Sequence, residues 1–363
     1  MKQDKAAKPK TKFSLNLPFG KPSAGQMAIF AKQLSVMVRT GLPVTEALGI
    51  TAESTSGPLK KAILEVLKSV ESGTTLADAF DNQPQAFSKL FVSTMRAGEV
   101  SGTLEDNLTS LATQLTNEKN LMGKVKSAMY YPIVVVIAAI VMGAIVAFVV
   151  LPKMTPIFNS LRIDLPFATK VLLWVANLFQ AYGVIIIPAI VIGTLALVTV
   201  LAQRFAQPFT HLVLIKFPIV KRISKNLGLA RFCRNLAMLL TSGLNIVEAF
   251  ETTKDTIGNY YYAKALEKVS WHIGRGGKIS ESISEYEDLF PKIITRMVEM
   301  GEKTGQLEEV LAYLGEYYEN EVDVAVRTFS STLEPLLLLG VGGLVAFIAL
   351  AIITPIYQLT GGI

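Results

Sequence analysis

The sequence predicts an all-α integral membrane protein: two repeated cytoplasmic six-helix bundles and three transmembrane helices. Three observations carry this. Hydrophobic residues make up 51% of the 363, too many for an ordinary soluble protein, and three long segments lack charge. Outside them, apolar residues recur at helical rather than alternating spacing. Finally, FAKQLSVMVRTGLPVTEAL from Phe30 returns as FCRNLAMLLTSGLNIVEAF from Phe232, an offset of 202.

The elements follow in order. Residues 1–23 open with MKQDKAAKPKTK, a basic, flexible tail. No apolar run of signal-peptide length follows it. Residues 24–126 form the first cytoplasmic bundle. AGQMAIFAKQLSVMVRT places Met27, Phe30, Ala31, Leu34, Met37 and Val38 on one helical face, and Gly41 stops that helix. Pro43 can open the next. GPLKKAILEVLKSVESG puts Leu59, Ile63, Val66, Leu67 and Val70 on one face. A short helix over TLADAF and another over 88–97 lead to GEVSG at 98–102. A last helix carrying Leu104, Leu108, Leu111 and Leu115 runs towards the first span.

The spans are 127–152, 183–203 and 335–356, each able to cover the ~20 residues a bilayer crossing needs. Pro132 opens the first, Pro188 interrupts the second, and Glu334 with Pro335 opens the third. Residues 153–182 form an external loop with an amphipathic segment, and 357–363 an external tail. Lys119, Lys124 and Lys126 precede the first span, and Arg204, Lys216, Lys221, Arg222 and Lys225 follow the second. The intervening loop is poorer, with Lys153, Arg162 and Lys170, and the tail has no charge. The positive-inside rule then puts the N-terminus and the second bundle, 204–334, in the cytoplasm, and the C-terminus outside.

The second bundle repeats the first. Gly243 answers Gly41, and GEKTG at 301–305 answers GEVSG. Gly98 and Gly301 are expected in the left-handed conformation that ends a helix, with Gly102 and Gly305 completing the turn. Thr103 or Ser101 caps the next helix in the first copy and Thr304 in the second. Glu105, Asp106, Glu308 and Glu309 then favour the helix dipole. That logic does not require Glu99 or Glu302. Each is either a solvated or capping carboxylate or a partner-binding or metal-binding group, and we expect at least one to touch a partner protein.

The chain is poor in catalytic groups. It has two histidines, His211 and His272, and one cysteine, Cys233, so no intramolecular disulfide can form. No metal-ligand spacing or nucleophile–base pair appears in the sequence. GRGGKIS at 274–280 fails the phosphate-loop pattern, because isoleucine follows the lysine and His272 stands where the first glycine belongs. The aromatic run NYYYAK at 259–264 lies at helical spacing and reads as packing or a partner surface rather than a ligand stack. No catalytic, cofactor-binding or metal residue is therefore expected. A transporter or channel is the alternative, yet the spans carry no interior charge for an ion pathway.

The repeated G-E-x-[ST]-G segments, FPIVKRI at 217–223, ARFCRNLAMLLTSGL at 230–244, MYYP at 129–132 and LEP at 333–335 together resemble the inner-membrane platform family of type IV pilus and type II secretion machines. The resemblance covers about residue 25 to 356. It implies a non-enzymatic hub in the inner membrane, of the pilus branch or the related secretion branch. The partners it implies are a cytoplasmic hexameric ATPase, pilin or pseudopilin subunits, other inner-membrane assembly proteins, membrane lipid and further copies of the chain. It implies no nucleic acid and no cofactor.

Overall fold

The computed structural model describes residues 21–150, 152–153, 166–201, 203 and 206–360. The first twenty residues of the basic tail, loop residues 154–165, Arg204 and residues 361–363 lie outside this set. The described residues are helical or in turns, with no strand among them. They fall in two compact units, up to Thr116 and from Asn117 onward.

In the first unit each helix starts and stops for a local reason. Helix α1 (Ala24–Arg39) begins with a capping box: the Ser23 hydroxyl accepts from the Gln26 amide, and the Gln26 side chain accepts from the Ser23 amide. It ends before Gly41, whose φ of +84° suits glycine. Helix α2 (Val44–Ser54) follows Pro43, and α3 (Gly57–Glu71) carries proline in its first turn. Thr75 caps α4 (Leu76–Asp81), and Ser88 caps α5 (Lys89–Ser101). The apolar stripes converge on Phe30, Phe80, Phe87 and Phe91, whose ring centroids lie 4.6–6.4 Å apart. Leu34, Leu48, Leu59, Ile63 and Met95 fill the space around them.

Helix α6 (Leu104–Ile145) passes from the first unit into the second and continues as a π-helical turn over Val146–Val150. Then come α7 (Phe167–Leu201), α8 (Gln207–Lys216), α9 (Pro218–Thr241), α10 (Ile246–Thr256), α11 (Tyr260–Ile273), α12 (Ile279–Ser284), α13 (Lys292–Thr304) and α14 (Leu307–Thr360). The repeat is legible in the backbone. Glycines with positive φ stand at 41, 57, 73 and 102, and again at 243, 258, 276 and 305. The second core gathers Phe232, Phe250, Tyr262 and Phe290. The Tyr262 hydroxyl donates to the Leu289 carbonyl at 3.0 Å, and Gly228 lies so close that a Cβ there would sit 2.6 Å from the ring.

Among the described residues, two helices are long and apolar enough to cross a bilayer: α6 with its π turn, and α14. Their most apolar windows have mean hydropathy 3.3 and 2.9. The described apolar stretches of α7 are two shorter runs, Phe167–Phe179 and Ile192–Leu201. Several side chains between them lie outside the described set. Helix α7 also takes in residues 167–182, which the sequence places in a loop.

Pro132, Glu334 and Pro335, where the apolar spans begin in the sequence, lie inside the continuous helices α6 and α14. Pro132 deprives the Ala128 carbonyl of its usual amide, and Pro335 does the same to Ser331. Each helix nonetheless continues, because leaving it beside an apolar stretch would strand more backbone groups than one proline does.

Candidate functional site

The two G-E-x-[ST]-G segments are helical rather than turns. Residues 98–101 form the last turn of α5, and 301–304 that of α13. Only the final glycines adopt positive φ, +73° at Gly102 and +71° at Gly305. Gly98 and Gly301 do not. They are small because the next helix passes close by. A Cβ at 98 would lie 3.0 Å from Leu104 Cα, and one at 301 would lie 3.1 Å from Leu307 Cα. The expected cap at Thr304 is likewise replaced. Its hydroxyl donates back to Met300 within α13, as that of Ser101 does to Ala97. Glu105, Asp106, Glu308 and Glu309 do fall in first turns. Gly41 and Gly243 keep the stop role expected of them.

The glutamates acquire a role that neighbouring residues could not reveal. Glu99 accepts hydrogen bonds from the Leu76 amide at 2.8 Å and the Ala77 amide at 3.0 Å. Glu302 accepts from Ile279 at 2.6 Å and Ser280 at 3.0 Å. Each carboxylate thus caps the first turn of a six-residue helix, α4 or α12, that precedes it in the chain. Such caps satisfy amides without an intrahelical partner and place negative charge at the positive helix end, contributing ~1–2 kcal/mol. The case for a partner contact was that the turn leaves the acid unexplained; these amides explain it. A signal was present: Leu76 to Glu99 and Ile279 to Glu302 are both 23 residues apart.

A second construction joins the polar helices to the apolar ones. Helix α9 is eight residues longer than its counterpart α1. It packs with the stems of α6 and α14 in the second unit. Leu121, Ile223, Val322, Ala325 and Val326 form the buried seam, with Val125, Ala128, Leu227 and Phe329 against it. Ion pairs flank it. Arg234 grips Glu319 through two bonds of 3.1 and 2.9 Å, and Arg231 pairs with Glu118. Arg222 pairs with Glu321 at 2.9 Å, and Lys124 with Asp323. The Arg234–Glu319 side chains are only about a quarter exposed, and the hydrogen bond to Glu319 raises the arginine's pKa further. The two-point fork fixes orientation as well as charge. Directly beyond this stem the apolar stretches begin, without a helix break.

The remaining reactive groups are accounted for locally. Cys233 is fully buried, and burial pushes its thiol pKa up, which disfavours the nucleophilic thiolate. His211 Nδ1 accepts from the Tyr260 amide at 3.0 Å. Among the described residues no three metal-ligating side chains converge.

These features define a class: a duplicated helical protein in which each half ends in an apolar helix of membrane length. The family pattern described as Type II secretion system (T2SS), protein F, matches residues 30–152 and again 232–355, and the chain belongs to that family. It is 32% identical to the type IV pilus assembly protein PilC of Thermus thermophilus, over 94% of this chain and 84% of the relative. It is 31% identical to PilC of Myxococcus xanthus, over 95% and 83%. It is 29% identical to the type II secretion system protein F of Aeromonas hydrophila, over 93% and 87%.

Proposed function

We propose that this protein is the non-enzymatic inner-membrane platform of a type IV pilus, coupling a cytoplasmic assembly ATPase to the insertion or extraction of pilin subunits. The observation that carries the reading is the stem, where two helices continue unbroken from a packed, ion-paired bundle into apolar segments. Moving a pilin helix between lipid and filament involves transfer terms of tens of kcal/mol, at about 1.5–3 for each large apolar side chain. Nucleotide energy is released in the cytoplasm, while the work is done in the bilayer. A stiff helix crossing that boundary transmits displacement better than a loop. The names of the pilus relatives support the pilus branch over secretion.

In this reading two six-helix cytoplasmic bundles, 24–126 and 204–334, alternate with spans at 127–152, 183–203 and 335–356. The middle span returns the chain so that both bundles face the same solvent. The N-terminus is cytoplasmic and the C-terminus external, and copies of the chain assemble together. The test is a deletion strain complemented with the full chain. Surface filaments counted by electron microscopy, with a secretion assay alongside, should be lost and restored for filaments alone. Purified protein should capture the assembly ATPase. A Thr360→Cys label introduced in a Cys233→Ala background should react from outside intact cells. Restored secretion without filaments would move the protein to the other branch; failed ATPase capture would refute the coupling.

A further inference from the structure

The repeat leaves its two copies with unequal neighbours. Helix α9 opens the second copy and packs against the stems of both last helices. Arg234 grips Glu319 of α14, and Arg231 pairs with Glu118 of α6. Its counterpart α1 shows the same stripe uncovered. Ile29, Lys32, Val36 and Arg39 are all exposed, at the three- and four-residue spacing of a helix seam, whereas Met238, in the place of Val36, is buried. The last helices differ in the opposite sense. The offset of 203 that relates Gly98 to Gly301 also relates Leu121 of α6 to Val324 of α14. Leu121 is 6% exposed, in the seam with Ile223, while Val324 is 47% exposed. Val324 ends a bare stripe that includes Glu309, Tyr313, Glu316 and Asn320, again at seam spacing.

We infer that these two bare stripes bind each other between chains: α14 of one copy packs antiparallel on α1 of the next. The inference rests on the membrane reading above and names the surface by which copies assemble. The charges match. Lys32 and Arg39 lie on one stripe, Glu309 and Glu316 on the other, and none of the four is in an ion pair among the described residues. The polarity is that of the joint within the chain, basic on the opening helix and acidic on the last. Depth sets the register. Ser35 of α1 bonds Thr109 of α6 at 2.9 Å, 23 residues before Pro132, and the residue 23 before Pro335 in α14 is Ala312. Two copies in one bilayer hold residues equally far from their apolar boundaries at about equal depth, so α14 arrives with Ala312 beside Ser35. Helix α9 runs antiparallel to α14, with Arg234 at Gly315 and Ile223 at Val326. The same direction brings Lys32 level with residue 315 and Arg39 with residue 308. Transposing the Arg231–Glu118 pair through the repeat gives a second register, with Ile29 opposite Glu321 and Lys32 opposite residue 318. The two agree within one helical turn and bracket Glu316 for Lys32 and Glu309 for Arg39. Val36 then falls at Tyr313, so apolar contact alternates with charge. Each copy offers one stripe of each kind, so the contact is head to tail, and copies upright in one bilayer can close it into a ring.

The test mixes two full-length chains with different affinity tags, both in a Cys233→Ala background, in one membrane. One carries Lys32→Cys and the other Glu316→Cys. Oxidation should give a product bearing both tags. Lys32→Cys with Glu309→Cys, about 10 Å out of register, should give about tenfold less. In purified protein that keeps Cys233, Lys32→Glu or Glu316→Lys alone should weaken self-association about tenfold, and the two together should restore it to within about threefold. That rescue separates a lost contact from a lost fold, and protection of Cys233 from alkylation checks each variant. Absence of the mixed product, or failure of the exchanged pair to rescue, overturns the interface. So does a crosslink that forms only when both cysteines are on one chain. A chain lacking residues 2–20 should associate equally; stronger association on that deletion would make the basic tail the occupant of the acidic stripe and overturn it too. Capture of the assembly ATPase by the same samples separates the two claims. A chain that captures it without forming the mixed product refutes this surface alone, whereas one that crosslinks but captures no ATPase refutes the coupling and leaves the surface standing.

Discussion

Two glycines four residues apart, Gly301 and Gly305, are required for different reasons, and one substitution separates them. Gly305 has a φ of +71° with open space where a Cβ would point. Asparagine tolerates the left-handed region, so Gly305→Asn should cost under about 1 kcal/mol. Gly301 lacks positive φ, but a Cβ there would meet Leu307 Cα at 3.1 Å and Val310 Cγ2 at 3.3 Å. Gly301→Asn therefore overpacks the α13–α14 corner, at about 1–3 kcal/mol, and buries an amide without a partner, at about 1–3 more. Helix propensity returns less than about 1 kcal/mol of this. The net is about 3 kcal/mol. Cys233 supplies the assay, since it is the only thiol and is fully buried in the same core. With fast opening and closing, its alkylation rate in the full-length protein tracks the population of the opened state. Gly301→Asn should raise that rate by on the order of 100-fold, and Gly305→Asn by less than about fivefold. Equal effects, or the reverse order, would refute the division of roles.

Three further predictions use related readouts. Glu302→Ala should destabilise the second copy by ~1–2 kcal/mol and speed Cys233 labelling about five- to thirtyfold, with Glu302→Gln intermediate because it keeps one acceptor oxygen; Glu99→Ala should match it in the first copy, read from a thiol placed at Ala31, the buried counterpart of Cys233. Arg234→Lys should behave more like Arg234→Ala than like wild type, since an ammonium cannot reproduce the two-point grip on Glu319, and a double-mutant cycle with Glu319→Gln should give about 0.5–2 kcal/mol of coupling. Burial raises the Cys233 thiol pKa, so the protonated form persists in the folded protein as pH rises; the thiolate ultraviolet absorbance should not grow between pH 7 and 9 as that of a free thiol near its ordinary ~8.5 does, although labelling through the opened state still speeds up.

Much of this fold is written locally, and it was legible for that reason. The stripe of Phe30, Ala31 and Leu34 is buried as its spacing requires, and Gly41 and Gly243 stop their helices where left-handed backbone is needed. The repeat was visible because whole segments recur in register. What escaped depends on contacts distant in the chain. Glu99 looked unexplained beside its neighbours because the amides it caps belong to α4, 22 and 23 residues earlier. Gly98 looked like a turn because the letter is the same whether glycine serves conformation or close approach; only the position of Leu104 distinguishes them. In the sequence alone the long start of α9 presents a cluster of charges near a span. Its apolar residue Ile223 and its arginines make sense only once α6 and α14 lie alongside.

The central claim is that the stem of α14 carries force from the cytoplasmic bundle into the membrane, and stiffness is the property to perturb. About seven residues inserted after Thr332 add close to two helical turns and preserve the faces on either side. Inserted as an alanine- and glutamate-rich helical sequence, they should leave the connection stiff; as glycine and serine, they should make it slack. Surface filaments counted in a deletion strain carrying each form, with Cys233 protection and ATPase capture confirmed for both, are the measurement. The account predicts filaments with the helical insert and none with the flexible one. Filaments in equal number from the two would contradict it.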